Sequence, residues 1–357
     1  MANENPQLDW GRVKQFSMQV GMDVSAAMLT AMSYIGDRLG LFRALADAGT
    51  VTSARFAELT GLNERYLREW LSAMTAAGYI TYDSSAKTFS MPPEHAMVLA
   101  REESPFFSGG FIEMLVPNLS VVARVMESFR KGGGVSQSEY PPETWEGIER
   151  LTAPMYRHHL VQQWLPAMTG MVEKLNAGGS ALDVGCGSGR AAITMAQAFP
   201  KAKVAGFDAH LGSVERARSN AKAAGVADRV AFEVADCTKL PAAQFDLITA
   251  CDVVHDSVDP IGLLRSIRSA LKAGGASLLV EMNVSSKLEE NINPMGRMLY
   301  SVSTLYCMTT SLAHNGAGIG ACMGEAKARE LASTAGFTKF RRLPIDDLFS
   351  ALFELQA

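Results

Sequence analysis

The residues best suited to chemistry lie in the second half of the chain, beginning at Leu182-Asp183-Val184-Gly185-Cys186-Gly187-Ser188-Gly189-Arg190. Three glycines at alternating positions, between an apolar run and a helical one, let the backbone turn tightly and approach a ligand, with a helix N-terminus behind it. A dinucleotide fingerprint would need glycine at position 190, where Arg190 stands, so the spacing argues against NAD. Asp208 ends the next apolar run, 19 positions beyond Gly189, where a carboxylate can accept both hydroxyls of a ribose. Asp236 ends the third, within reach of an adenine amino group. Each carboxylate alone could be a helix cap, but three on successive strand ends beside a glycine loop imply a nucleoside. Farther on, Val254-His255-Asp256 follows the fourth run and Glu281 ends the fifth. An imidazole titrates near neutral pH, and a carboxylate on the neighbouring strand fixes its tautomer. Such a pair suits removal of a proton from a hydroxyl, thiol or acidic carbon as it attacks an electrophile.

Strands and helices alternate around these residues from Gly178 onward. Strands are expected at Ser180–Val184, Lys203–Phe207, Val230–Val234, Phe245–Ala250 and Ala276–Val280, with helices at Arg190–Phe199, Ser213–Ala224 and Pro260–Leu271. That rhythm means an α/β domain with a mostly parallel sheet, binding ligands at the carboxyl ends of its strands. A helix at Glu325–Ala335 and strands at Phe340–Leu343 and Leu348–Leu355 close one sheet edge. Residues 282–324 interrupt the rhythm with Met295, Met298, Leu299, Tyr300, Tyr306 and Met308, and read either as a core helix or as an apolar cover favouring an aromatic or lipophilic ligand. The first hundred residues are mainly helical. An apolar helical stretch at Ala27–Ala46 precedes two helices in Thr52–Ala77 broken at Gly61-Leu62-Asn63, then a hairpin of Tyr79–Tyr82 and Thr88–Met91. Helix, turn, helix and wing make a winged helix. The division is therefore 1–100 winged helix, 101–175 helical connector and pocket cover, with a helix from Pro154 to Leu175, and 176–357 ligand-binding domain.

The order Asp-x-Gly-x-Gly-x-Gly with acidic strand ends resembles the class I S-adenosylmethionine-dependent methyltransferases, over Gly178 to Ala357. The resemblance implies a Rossmann-like domain with a seven-stranded sheet and S-adenosyl-L-methionine as cofactor. Asp183 would organise the glycine loop and the cofactor amino group, and Gly185, Cys186, Gly187 and Gly189 would line its methionine portion. Asp208 would hold the ribose and Asp236 and Cys237 flank the adenine, with Cys251 on the same rim. His255-Asp256-Ser257 is similar to the His-Asp-Trp motif of winged-helix small-molecule O-methyltransferases, which implies His255 as catalytic base and Glu281 beside it, while Ser257 departs from the motif. Nearly the whole chain resembles bacterial, including mycobacterial, methyltransferases of uncertain substrate, through His158-His159-Leu160-Val161-Gln162-Gln163-Trp164-Leu165-Pro166 and Glu290-Asn291-Ile292-Asn293-Pro294-Met295-Gly296-Arg297. That likeness implies homodimers held by the N-terminal domain. The expected function is methyl transfer to oxygen of a small apolar or aromatic acceptor, by in-line displacement in which alignment and exclusion of water do most of the work. N-, S- and C-methylation stay open, since cofactor motifs are indifferent to the acceptor atom.

Charge narrows the partners. With 33 basic and 37 acidic residues in 357, net −4, nothing marks a nucleic-acid or anionic-membrane protein. Arg65 and Arg68 in the second winged helix face Glu64 and Glu69, leaving no surplus for phosphates, so dimerisation is preferred to DNA reading. The competing reading is a regulator binding DNA through residues 50–91 with the second domain as cofactor sensor. No apolar stretch reads as a secretory signal or membrane span, which gives a cytoplasmic expectation. Five cysteines never closer than 14 positions, without HxxxH or a carboxylate cluster, give no metal site and no disulfide framework. Nothing in the spacing of Cys307 and Cys322 recommends thiol chemistry, and His158 and His159 stay outside the catalytic set.

Overall fold

A computed structural model describes residues 8–357. The chain packs as two compact units, one ending at Val116 and one running from Pro117 to Ala357. In the first, α1 (Trp10–Arg38), α2 (Leu41–Ala48), α3 (Ser53–Thr60) and α4 (Glu64–Ala76) precede the wing strands β1 (Thr81–Asp83) and β2 (Thr88–Ser90) and α5 (Pro93–Leu99). Asn63 caps α4 by accepting from the amides of Arg65 and Tyr66, and Thr52 caps α3 through Arg55, so the turn between the two helices is built by side-chain oxygens. Phe42, Leu45, Phe56, Trp70, Leu71 and Met74 fill the core. Trp70 donates to the Met32 carbonyl at 3.0 Å, and a Cβ at Gly36 would fall 2.5 Å from the Trp70 ring, so only glycine lets α1 approach there. The first helix starts at Trp10, well before the apolar stretch at Ala27, because Asp9 caps it by accepting from the amides of Gly11 and Arg12.

Helix α6 (Gly109–Ser120) carries the chain into the second unit, where α7 (Val122–Lys131) and α8 (Glu143–Met155) follow. The expected continuous helix from Pro154 to Leu175 is not formed. Instead α8 ends at Met155, a π-helical segment spans Tyr156–Trp164, and α9 occupies Met171–Asn176. Pro154 has no amide to donate, and the chain resumes with wider hydrogen bonds such as Leu165 N to Leu160 O at 2.9 Å.

The sheet then builds from β3 (Ser180–Val184), α10 (Arg190–Ala198), β4 (Lys203–Asp208), α11 (Leu211–Ala223), β5 (Val230–Val234), β6 (Phe245–Cys251), α12 (Pro260–Ala270) and β7 (Leu271–Met282). Helices α13 (Pro294–Leu305), α14 (Cys307–Leu312) and α15 (Gly324–Thr334) precede β8 (Lys339–Arg342) and β9 (Ser350–Gln356). The seven strands lie in the order β5-β4-β3-β6-β7-β9-β8, parallel except for β9, which is antiparallel to both neighbours. Leu182 and Val184 on the interior strand β3 are fully buried, each stabilising the fold by about 1.5–3 kcal/mol. Leu160, Trp164, Met195 and Val214 pack one face, and Leu263, Leu264, Ile267 and Leu331 the other. Strand order reverses between β3 and β6, and the crevice at such a switch point is where α/β sheets bind ligands. Among the described residues no single helix is long and apolar enough to cross a membrane.

Candidate active site

The glycine loop sits at the carboxyl end of β3, beside that crevice. Gly185 and Gly189 have φ of +64° and +77°, and a Cβ would fall 2.6 Å from Val253 at the first and 2.6 Å from Phe232 at the second. Backbone freedom and close packing therefore both demand glycine. The Cys186 amide donates to the Phe207 carbonyl at 3.0 Å, and Gly187 donates to Asp208 Oδ2 at 2.9 Å, tying the loop to β4. The other Asp208 oxygen accepts from His210 N at 2.8 Å. Each oxygen keeps a lone pair for a ribose hydroxyl.

Asp183 lies behind the loop, buried, with Thr249 Oγ1 donating to it at 2.6 Å. Burial pushes its carboxyl up to about 7 against the opposing Thr249 bond, and Asp208 adds to the rise. Such a carboxylate, lacking a cationic neighbour among those influences, suits an ammonium ligand. Tyr156 enters the same place from the π-helical segment. Its buried phenol is raised well above its ordinary value by burial and by Cys251, Asp252 and Asp183 around it. Cys251, at the end of β6, is also held up by burial. Asp236 instead caps a short turn, accepting from Thr238 N at 3.0 Å and pairing with Lys239 at 2.8 Å. Lys239 and Thr238 hold it down to about 2. The Cys237 thiol points inward, 3.8 Å from the Phe207 carbonyl.

A clamp absent from the sequence reading grips the loop from behind. Glu149 of α8, buried, accepts from Arg190 Nε at 2.7 Å, from Arg216 Nε, and from Asn220 Nδ2 at 3.1 Å; Asn220 in turn donates to Ser188 O at 2.9 Å. Connector and glycine loop are thus joined by charge-assisted bonds.

His255 stands on the other side of the switch point. Because β6 pairs with β7 in the register Cys251↔Val280, the next residue of β7, Glu281, comes level with the turn that leaves β6. Glu281 accepts the Val254 amide at 3.2 Å with one oxygen and bonds His255 Nδ1 with the other. His255 Nε2 lies 3.1 Å from Asp256. The ring is 1% exposed. Burial pulls the imidazole down, but Asp256 and Glu281 outweigh it, and the ring sits well above its ordinary 6.5. Asp252, at φ +55° in the same turn, is pushed up to about 7 by burial, opposed by His255. Gly320 N donates to the His255 carbonyl at 3.2 Å and Ser311 Oγ to Ser257 O at 3.0 Å, so the segment after β7 is fastened over this turn.

That segment brings an aromatic wall. Tyr306 stands edge-on to Tyr140 at 5.2 Å and to Trp145 at 6.4 Å, and Trp145 lies 5.3 Å from the His210 ring. Through Trp145 and His210, whose amide bonds Asp208, the rings approach the carboxylate at β4. Residues of 282–324 form part of a core, since Leu299, Tyr306 and Cys307 share a cluster with Val121, Val125 and Tyr140. His159 stacks on Trp164, 6.3 Å between rings. Linear spacing gives no metal cluster, but the fold brings together two groups of potential ligands: ligand atoms of His255, Asp256 and Cys307 lie within 4.8 Å of one another, as do those of Asp252, His255 and Glu281. Their separation in sequence hides them.

Residues 175–348 match the family described as a methyltransferase domain, and residues 27–101 match the Rv2258c-like winged HTH domain. The chain is similar to 27-O-demethylrifamycin SV methyltransferase of Amycolatopsis mediterranei, 40% identical over 110 residues, covering 30% of this chain and 40% of that protein. With acetylserotonin O-methyltransferase of Mus musculus it shares 32% identity over 165 residues, 44% of this chain and 39% of that one. The matched stretches thus span about two fifths of these relatives. Among solved structures, mitomycin 7-O-methyltransferase MmcR superposes with a TM-score of 0.72 at 18% identity, over 98% of this chain and all of that one. Human N-acetylserotonin methyltransferase in complex with SAM gives 0.71 at 18% identity, over 100% of both. At such identity the likeness is one of fold.

Proposed function

Residues 175–348 belong to the methyltransferase domain family and residues 27–101 to its winged-helix companion, and from that premise we propose that this chain binds S-adenosylmethionine and methylates oxygen on a small, apolar or aromatic acceptor. One observation carries the reading: the glycine loop with Asp183 and Asp208, and the His255–Glu281 pair, flank a single switch point of one sheet. The donor set fits the cofactor. Asp183 meets its ammonium, Asp208 its ribose hydroxyls, Gly185 to Gly189 leave room for its chain, and Asp236, Cys237 and Cys251 stand along the rim. The bound cofactor supplies an electrophilic methyl on a sulfonium sulfur.

The chain's own residues prepare the acceptor. Glu281 holds His255 by Nδ1, and when the ring is neutral its Nε2, beside Asp256, takes the acceptor proton. Asp256 beside Nε2 and Glu281 behind the ring stabilise the imidazolium that results. Tyr306 and Trp145 offer aromatic faces to a flat acceptor and help exclude water. O-methyltransferases among the similar structures and relatives support oxygen as the acceptor atom.

Calorimetry with S-adenosylhomocysteine tests the cofactor site, and transfer of labelled methyl from S-adenosylmethionine to a panel of phenols and alcohols tests the acceptor class. No S-adenosylhomocysteine binding would sink the reading. The titration of Asp183 adds a sign. An ammonium beside it lowers a carboxyl that stands at about 7 when free, so binding near pH 6.5 releases a proton and strengthens as pH rises towards 8. Heats measured in two buffers of different ionisation enthalpy will differ accordingly, and Asp183→Asn will remove the difference.

We further propose a homodimer held by the first unit. Trp10, Phe16, Met18, Met22 and Met28 on α1 are each about two-thirds exposed in the single chain, an apolar surface of the kind that marks a protein interface. Arg65 pairs with Glu69 and Arg68 with Glu64 on α4, which leaves that helix no unpaired cation from these two arginines with which to grip phosphate. Sedimentation will show a dimer for the native chain and a monomer for the double variant Met18→Asp, Met22→Asp; an unchanged mass would refute the interface.

A further inference from the structure

Three side chains of different donor chemistry converge where the turn after β6 meets the start of α14. His255 and Cys307 are buried, Asp256 keeps 21% of its side chain exposed, and their ligand atoms lie within 4.8 Å of one another. Behind the imidazole, Glu281 occupies Nδ1. Metal-ligating histidines are held in this manner, with a carboxylate on one ring nitrogen and the metal on the other. In the cluster of Asp252, His255 and Glu281, by contrast, Glu281 is itself the group bonded to Nδ1.

Charge points the same way. Asp256 and Glu281 bracket one imidazole, so two carboxylates share at most one positive charge in a place largely closed to water. Buried anions in surplus are costly, and a divalent cation would balance them. Nitrogen, oxygen and sulfur together are wrong for Mg2+ and Ca2+, which take oxygen, and right for Zn2+. Zinc needs donors at about 2.0–2.3 Å from the metal, and the three ligand atoms here already lie within 4.8 Å of one another.

We propose that His255 Nε2, the Asp256 carboxylate and Cys307 Sγ form a three-ligand zinc site with an open fourth position, and that zinc bound there switches methyl transfer off by taking the lone pair His255 uses as base. On binding, the thiol proton passes to buffer, the sulfur lone pair goes to the metal, and nothing is oxidised or reduced. The switch rests on the base role of His255 proposed above; the metal site does not.

Full-length protein, stripped with chelator, would be titrated with Zn2+ against a chromophoric competitor and with Co2+ followed by absorbance. One equivalent of each should bind, cobalt showing a thiolate charge-transfer band. Cys307→Ala should abolish the band and weaken zinc binding by roughly 100-fold or more, and Glu281→Gln should weaken it about 10–100-fold, as loss of a supporting carboxylate does. Calorimetry with S-adenosylhomocysteine on the same variants reports that they are folded, and Cys307→Ser provides a second variant should alanine not be. A cobalt band that survives Cys307→Ala, or zinc affinity indifferent to it, overturns the site. In the methyl-transfer assay one equivalent of zinc should stop the native enzyme, while Cys307→Ala should need roughly 100-fold more. Zinc bound with the expected ligands but without inhibition overturns the switch, and the fault then lies with the base role, not the metal site.

Discussion

Replacing His255 by alanine is expected to lower kcat for methyl transfer by roughly 10²–10⁴-fold while S-adenosylhomocysteine affinity changes only a few-fold, because in the proposed mechanism the ring serves the acceptor and not the cofactor. The pH profile carries the sharper sign. Only the neutral imidazole accepts a proton, and in the folded chain the Asp256 and Glu281 carboxylates more than offset burial and hold the ring above its ordinary 6.5. Rate must therefore climb with pH through an ascending limb that lies above that value. Asp256→Asn removes one of the two carboxylates holding the ring up, so the limb should move to lower pH. Full turnover by His255→Ala on an identified acceptor would reduce the histidine to a positional role; a limb that moves upward in Asp256→Asn would show that the electrostatics are misread.

Local signals made much of the site legible. Asp183, the three glycines, Asp208 and Asp236 each follow an apolar run of strand length, and period and spacing suffice to put them on one sheet edge. Strand pairing did the same for His255 and Glu281, because neighbouring parallel strands in register bring their carboxyl ends level. Cys307 shows the limit. It lies far along the chain from His255, with β7 and α13 intervening, and only the bonds from Gly320 and Ser311 that fold the cover back reveal the contact. Tyr156 and Glu149 escaped for a related reason: their partners, Cys251 and Arg190, belong to distant elements, and the π-helical segment that aims Tyr156 has no periodicity of its own in sequence. Asp236 taught the opposite lesson. A carboxylate at a strand end looked alike at all three strands, but here its partners are Thr238 and Lys239 next to it, the bonds of a local cap. At α1 the apolar stretch from Ala27 marks the half that packs on the core through Leu29 and Met32, although Met28, Ile35 and Leu39 within it stay exposed, as does the run from Trp10 to Met28.

Asp208 is where the largest loss of cofactor affinity is expected. Its two oxygens accept the amides of Gly187 and His210, so the carboxylate fastens the glycine loop to β4, and in the proposed complex it would also hold the ribose. Hydrogen bonds to a charged acceptor are each worth about 1.5–3 kcal/mol, and two ribose hydroxyls give a combined loss of at least about 3 kcal/mol in Asp208→Ala. That corresponds to S-adenosylhomocysteine binding weakened roughly 150-fold or more. Asp208→Asn retains one carbonyl oxygen of the same shape and should fall between, since it can still accept from Gly187 while giving up the charge and one acceptor. Neither variant touches His255, so kcat at saturating cofactor should hold within a few-fold, and the defect should appear in the cofactor KM. Because Asp208 is only half-buried at the end of its strand, thermal unfolding of Asp208→Ala should shift by no more than a few degrees, which separates a lost ligand from a lost fold. Binding by Asp208→Ala within threefold of the native protein would show that the ribose is held elsewhere, and with it that the acidic strand ends are caps and nothing more.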